Sequence, residues 1–170
     1  PYALFLERLH SNPSAESREH FDQYVASHGL TITPEGYVVL YKGVNRGASA
    51  ETAQGIYFSS HAGPGIVETQ DGTVTEYESA HLPNGVGYTV SIPRSQVDTA
   101  RTRHCSVGLH AGTFAYAKGF AQVLLTVLID PRDVVSVPND HSNAKVRVAR
   151  YVVAAINDND RAYENGVKPI

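Results

Sequence analysis

The spacing of hydrophobic and polar positions changes character twice along the chain. Between Tyr2 and His10 the apolar residues Leu4, Phe5, Leu6 and Leu9 fall at helical spacing, and Asn12-Pro13 closes the run. Proline lacks a donor N–H and disfavours helix in the residue before it. A second helix is predicted from Ser14, an effective N-cap, with Glu16 in the first turn. Phe21, Tyr24 and Val25 form its apolar stripe, and Gly29 suits the position just past its end. Beyond Gly29 the period shortens towards two. Leu30–Thr33 and Tyr37–Lys42 flank the turn signature Pro34-Glu35-Gly36. The second run, YVVLYKGV, alternates only weakly and reads as a mostly buried strand.

From residue 45 to residue 87 the pattern breaks into short β-like pieces (Gly55–Ser59, Gly65–Thr69, Thr73–Tyr77) separated by turns such as Asp71-Gly72 and Asn84-Gly85. Seven of the fourteen glycines lie here, which predicts a β-meander or a surface insertion. A strand within Tyr88–Val97 ends at Pro93, with Arg94 directly after it. Thr113 caps a short helix, Phe114–Lys118, whose Phe114, Ala117 and Phe120 are expected to face inward. Gln122–Asp130 is nearly continuously apolar, as a central strand requires. A Pro131-Arg132-Asp133 turn leads to Val134–Val137, and Pro138–Asn143 is a polar turn. Lys145–Ala155 reads as one long final strand, with Val146, Val148, Val152 and Ala154 on one face and Lys145, Arg147 and Tyr151 on the other. The pattern thus predicts a single α+β domain over residues 1–155, with residues 156–170 as a polar tail. Two short N-terminal helices pack on a mostly antiparallel sheet, and one short helix lies in the middle of the chain.

A chain of 170 residues is long enough to bury a core unaided, and 42% apolar with 18% charged residues is ordinary for a globular protein. Two helices followed by a strand suggest a winged helix. The second helix carries a single arginine among several acids, and the net charge is −3, so nucleic acid is not an expected partner. One cysteine excludes an intramolecular disulfide and fits a reducing compartment. No apolar run reaches the roughly 18 residues of a membrane span, and no leader pattern opens the sequence. The chain starts at Pro1 and contains no methionine, as expected of a processed or trimmed chain.

Candidate chemistry concentrates in Arg101–Phe120, which holds Cys105, His104, His110 and three glycines. A thiol nucleophile needs a base, and His110 supplies one if the chain folds back at Gly108. The competing reading is a small buried cysteine and a hydrogen-bonded turn histidine. Zinc sites are marked by paired ligands such as CxxC or HxxxH, and none is present, so neither metal nor cofactor is expected. Asp140, His141 and Asn143 are explained by turn geometry. The basic residues are the better lead. Arg94, Arg103, Lys145 and Arg147, together with His110, are candidate ligands for a small anion, because converging guanidinium and ammonium groups fix a phosphate by charge-assisted hydrogen bonds. Otherwise they are solvated charges that blunt a sheet edge.

The segments EGYVVLYKGV, AHLPNGVG, VSIPRSQV, CSVGLHAGTFAYAKGFA, DPRDVVSVP and NAKVRVARY occur in this order. In them the chain resembles the C-terminal domain of the rIIB-like proteins of T-even phages and of phages of actinobacteria, from roughly Tyr2 to Val153. The resemblance implies a phage accessory protein in the cytoplasm of the infected bacterial host, concerned with lysis timing or host–phage conflict. It brings no catalytic residues. Non-catalytic binding of a host factor, a partner subunit or a small anionic, nucleotide-like ligand is therefore expected. One alternative is an enzyme. Tyr41-Lys42-Gly43 and GLHAGTFAYAKGF loosely echo ADP-ribosyltransferase folds, although Lys42 stands where an NAD-gripping Arg or His is usual and the late catalytic Glu is missing. A second alternative is a structural protein that assembles, for instance as a homo-oligomer, through strand edges.

Overall fold

A computed structural model describes residues 1–103, 106–139 and 144–157. His104, Cys105, Asp140, His141, Asn143 and the tail from residue 158 onward lie outside the described residues. Helix α1 (Tyr2–His10) buries Phe5 and Leu9, and helix α2 (Ala15–His28) buries Ser17, Phe21, Tyr24 and Val25. The Ser14 hydroxyl accepts from the Ser17 N–H at 3.1 Å, which caps α2. Gly29 ends α2 with φ 58°. Asn12, buried between the helices, donates to the carbonyls of Pro131 and Val134 at 2.9 and 2.7 Å. Its side-chain oxygen accepts from the Ser14 N–H and from Arg94 Nη2. This one side chain fastens the helical pair to the far end of the sheet.

The described residues form one sheet of nine strands: β1 (Val38–Arg46), β2 (Tyr57–Glu68), β3 (Val74–Asn84), β4 (Thr89–Ser91), β5 (Leu109–Gly112), β6 (Val123–Ile129), β7 (Val134–Ser136), β8 (Lys145–Val148) and β9 (Arg150–Asn157). Two further short helices, α3 (Ser49–Ala53) and α4 (Phe114–Ala117), connect them. The spatial order is β3-β2-β4-β9-β6-β1-β5-β8-β7, and every pairing is antiparallel. A further pairing of β2 with β1 closes β1, β2, β4, β9 and β6 into a barrel-like ring. An odd ring of antiparallel neighbours cannot close with straight strands. The direction change falls within β2, whose register against β3 slips between Phe58 and Ala62 and again between Gly63 and Gly65.

β6 is buried along its whole length, because both its faces are covered. On one side Val38, Leu40 and Val44 of β1 join Leu125, Val127 and Ile129 of β6, Tyr151 and Val153 of β9, and the helical residues Phe5 and Phe21. On the other side Val39, Tyr41, Leu124, Leu128 and Ala117 make a smaller cluster beneath α4. Burying the larger cluster is the main stabilising term, at about 25 cal/mol per Å² of apolar surface removed from water.

Five expectations are corrected. Leu30–Thr33 contributes only an isolated bridge, Ile32 with Val38, because the chain turns back at once through Thr33–Tyr37. The short pieces of residues 45–87 are helix α3 and a long hairpin, β2 and β3. The final strand is broken at Ala149, whose N–H donates to Asp133 O while its carbonyl accepts from the Ile92 N–H. That single residue reverses the side-chain parity, so Tyr151 and Val153, not Val152 and Ala154, follow Val146 and Val148 into the larger core. Phe120 is 50% exposed, since α4 ends at Ala117 and leaves it outside the packed face. β9 also runs past residue 155, pairing Ile156 with Leu125 and Asn157 with Leu124.

Candidate functional site

The direction change in β2 leaves a cavity of about 500 Å³ between Ser59–Pro64 and the strands β1 and β5. Lys42 is the first group to explain. It sits on β1 at the same parity as Leu40 and Val44, both fully buried, and so points from a core-facing position. Its ammonium donates to the carbonyl of His110 at 2.8 Å and lies 5.5 Å from the centre of the Tyr151 ring. Lys42 is half-buried and borders the cavity, and the burial of its ammonium pulls its pKa down to about 8.

His110 lies opposite Arg147 in the β5–β8 ladder, and Gly112 lies opposite Lys145. His110 and Lys145 both line the cavity, and Lys145 is only 3% exposed. Burial, with the positive charges of Lys42, Arg147 and Lys145 around it, lowers the His110 pKa to about 3, so the imidazole is neutral at physiological pH. Its Nε2 is buried and finds no hydrogen-bond partner among the described residues. His61, from the bent part of β2, adds a fourth nitrogen-bearing side chain to the wall. No aspartate or glutamate lines this cavity among the described residues. The remaining wall is apolar and aromatic, with Tyr41, Leu82, Ile92, Leu109, Tyr116 and Phe120.

A buried polar thread runs beside Lys42. The Tyr151 hydroxyl donates to the side-chain oxygen of Asn84, and Asn84 Nδ2 donates to the Ser59 hydroxyl at 3.2 Å and to Leu82 O at 2.9 Å. Ser59 itself borders the cavity, so this thread fixes the floor on which Lys42 lies. Gly112 serves the opposite wall. A Cβ there would meet the Tyr116 ring at 2.6 Å, so the missing side chain is what lets that ring lie against β5.

Of the five anion-ligand candidates read from the sequence, the cavity wall takes in His110 and Lys145. Arg147, fully buried, turns away and donates to the carbonyls of Asp98, at 2.6 Å, and of Ala100 and Arg103. Its stem passes over Gly108, where a Cβ would lie 2.4 Å from Arg147 Cγ and the backbone has φ 150°. Arg94 donates to Arg132 O, Val134 O and Asn12 Oδ1, at 2.9 to 3.0 Å, and so ties strand ends to the helical pair. Arg103 is a surface partner of Asp98 at 3.3 Å. Lys42 and His61 had not been counted as ligands. The available signal was a lysine at a core-parity position of YVVLYKGV; for His61 there was none.

This constellation of two lysines and two histidines, in a cavity that no carboxylate lines among the described residues, suits a ligand that brings negative charge and some apolar surface. The geometry alone names no family, but sequence comparison does. The family model described as Bacteriophage T4 protein rIIB matches residues 59–162, which takes in the bent wall of the cavity and everything from β3 to β9. Protein rIIB of Enterobacteria phage T4 is 30% identical over 155 residues, covering 89% of this chain and 41% of that protein. The chain therefore spans about two fifths of the length of the curated relative it matches. No solved structure matches it significantly. With more than half its residues under the family model, the chain belongs to the phage rIIB family.

Proposed function

We propose that this domain is the ligand-binding part of a phage accessory protein, and that it acts in the cytoplasm of the infected host by holding a small anion without transforming it. The observation that carries this reading is the cavity itself. Lys42, Lys145, His61 and His110 face it, while no carboxylate among the described residues does. Burying the Lys42 ammonium is costly, and a phosphate or similar anion beside it relieves that cost. A nucleotide-like ligand fits, because the rest of the wall is apolar and aromatic. Binding of this kind serves host–phage conflict or lysis control by withdrawing the ligand from a host factor.

The test is native mass spectrometry of the protein taken directly from phage-infected cells. A retained small anion, lost on denaturation, is the expected result. Lys42→Met and Lys145→Gln should each abolish retention while leaving the far-ultraviolet circular dichroism unchanged. A bare wild-type mass, together with no rise in melting temperature in millimolar phosphate, overturns the proposal.

A further inference from the structure

One feature of the cavity is unrelated to charge. Tyr116 and Phe120 both line it, and their rings stack with centroids 6.1 Å apart and planes 28° from parallel. Phe120 is half exposed and lies three residues past the end of α4. Its partner is held from below in two ways. The Tyr116 ring rests on the bare backbone of Gly112, and the Tyr116 N–H donates to the Thr113 hydroxyl at 3.3 Å. The pair therefore presents a prepositioned aromatic face beside the lysines. Aromatic rings bind planar heterocycles by stacking, with little dependence on hydrogen-bond pattern.

We infer that Tyr116 and Phe120 form a stacking platform for a base, so that the ligand is a nucleoside phosphate: its phosphate is held by Lys42 and Lys145 and its ring by the aromatic pair. This rests on the anion reading of the cavity and adds the ring. A mononucleotide matches the dimensions, since the cavity of about 500 Å³ lies within the range of sites that enclose small ligands.

The experiment compares adenosine 5′-monophosphate with ribose 5-phosphate, which carries the same phosphate ester but no base, by calorimetric titration into the full chain. Phe120→Ala is the matching variant, and its half-exposed position makes it compatible with folding. Wild type is expected to bind the nucleotide about tenfold or more tighter than ribose 5-phosphate, the scale of one base–aromatic stack. Phe120→Ala should remove most of that ratio and leave ribose 5-phosphate binding unchanged. Equal binding of both compounds by wild type overturns the platform and leaves the anion site standing. Equal loss of both compounds in Phe120→Ala overturns it as well, because the ring then acts on the phosphate pocket as a whole. If wild type binds neither compound, the anion reading falls together with the platform.

Discussion

Lys42 allows the sharpest test of how the cavity is built. An ordinary lysine titrates near 10.5, and in this fold burial lowers Lys42 to about 8. The difference means that the charged form costs the native state about 3 kcal/mol relative to the unfolded chain. The sign follows from proton counting. Below pH 8 both states carry the proton, and the native state bears the full cost. Between pH 8 and 10.5 the native state releases its proton while the unfolded chain keeps it, so stability rises with pH. Lys42→Met keeps the length and apolar stem of the side chain and removes the ammonium. The variant loses the 2.8 Å bond to His110 O, worth about 1–2 kcal/mol, so a net gain of about 1–2 kcal/mol at pH 7 is expected. Urea denaturation at 25 °C from pH 7 to 9.5 measures both quantities. The upper limit matters because burial raises the pKa of Tyr24 and Tyr151, and these residues withdraw stability once unfolded tyrosine ionises above about pH 10. Wild-type stability should climb by about 1–2 kcal/mol across the window relative to Lys42→Met. Parallel curves for the two proteins would refute the reasoning, because the ammonium would then cost the fold nothing. A lysine that lowers stability at neutral pH is not explained by folding, as the proposed anion site requires.

His110 works in the opposite pH range. Its pKa falls from 6.5 to about 3 in the fold, so between those values the unfolded chain takes up a proton that the native state refuses. Stability should drop by up to about 4 kcal/mol on acidification from pH 7 to pH 3, and His110→Gln should flatten that part of a thermal-melt profile. Gly108→Ala places a methyl group against the Arg147 stem at a positive φ, and a loss of about 2–4 kcal/mol by chemical denaturation is expected. A loss below 0.5 kcal/mol, on the scale of an ordinary surface change, would mean that the Arg147 stem moves aside freely.

The elements that local chemistry dictates were legible in the sequence. Ser14 and Gly29 mark the ends of α2, Pro34-Glu35-Gly36 makes its turn, and the nearly continuous apolar run of β6 occupies the centre of the sheet. What escaped was set by contacts distant in sequence. Nothing in Val148-Ala149-Arg150 signals a strand break, because the groups that draw Ala149 out of the ladder are Asp133 O and the Ile92 N–H. The basic residues stand out in the sequence as a set, but their individual destinations depend on which carbonyls lie within reach. Arg147 finds those of Asp98, Ala100 and Arg103, and Arg94 finds those of Arg132 and Val134. Lys42 was visible as a residue, yet its importance lies in parity within a strand whose alternation is weak.

The pairing of β1 also governs the order in which the molecule can be made. One edge of β1 is occupied, from Val38 with Ile129 to Val44 with Val123, by a strand synthesised much later. β6 in turn needs β9, the last strand described, along its other edge. At ordinary rates of translation β1 waits on the order of ten seconds for its neighbour. During that interval Val38 and Leu40 lack the β6 edge with which they pair. The ring of strands can therefore close only once β6 and β9 have both been made, and not progressively from β1 onward.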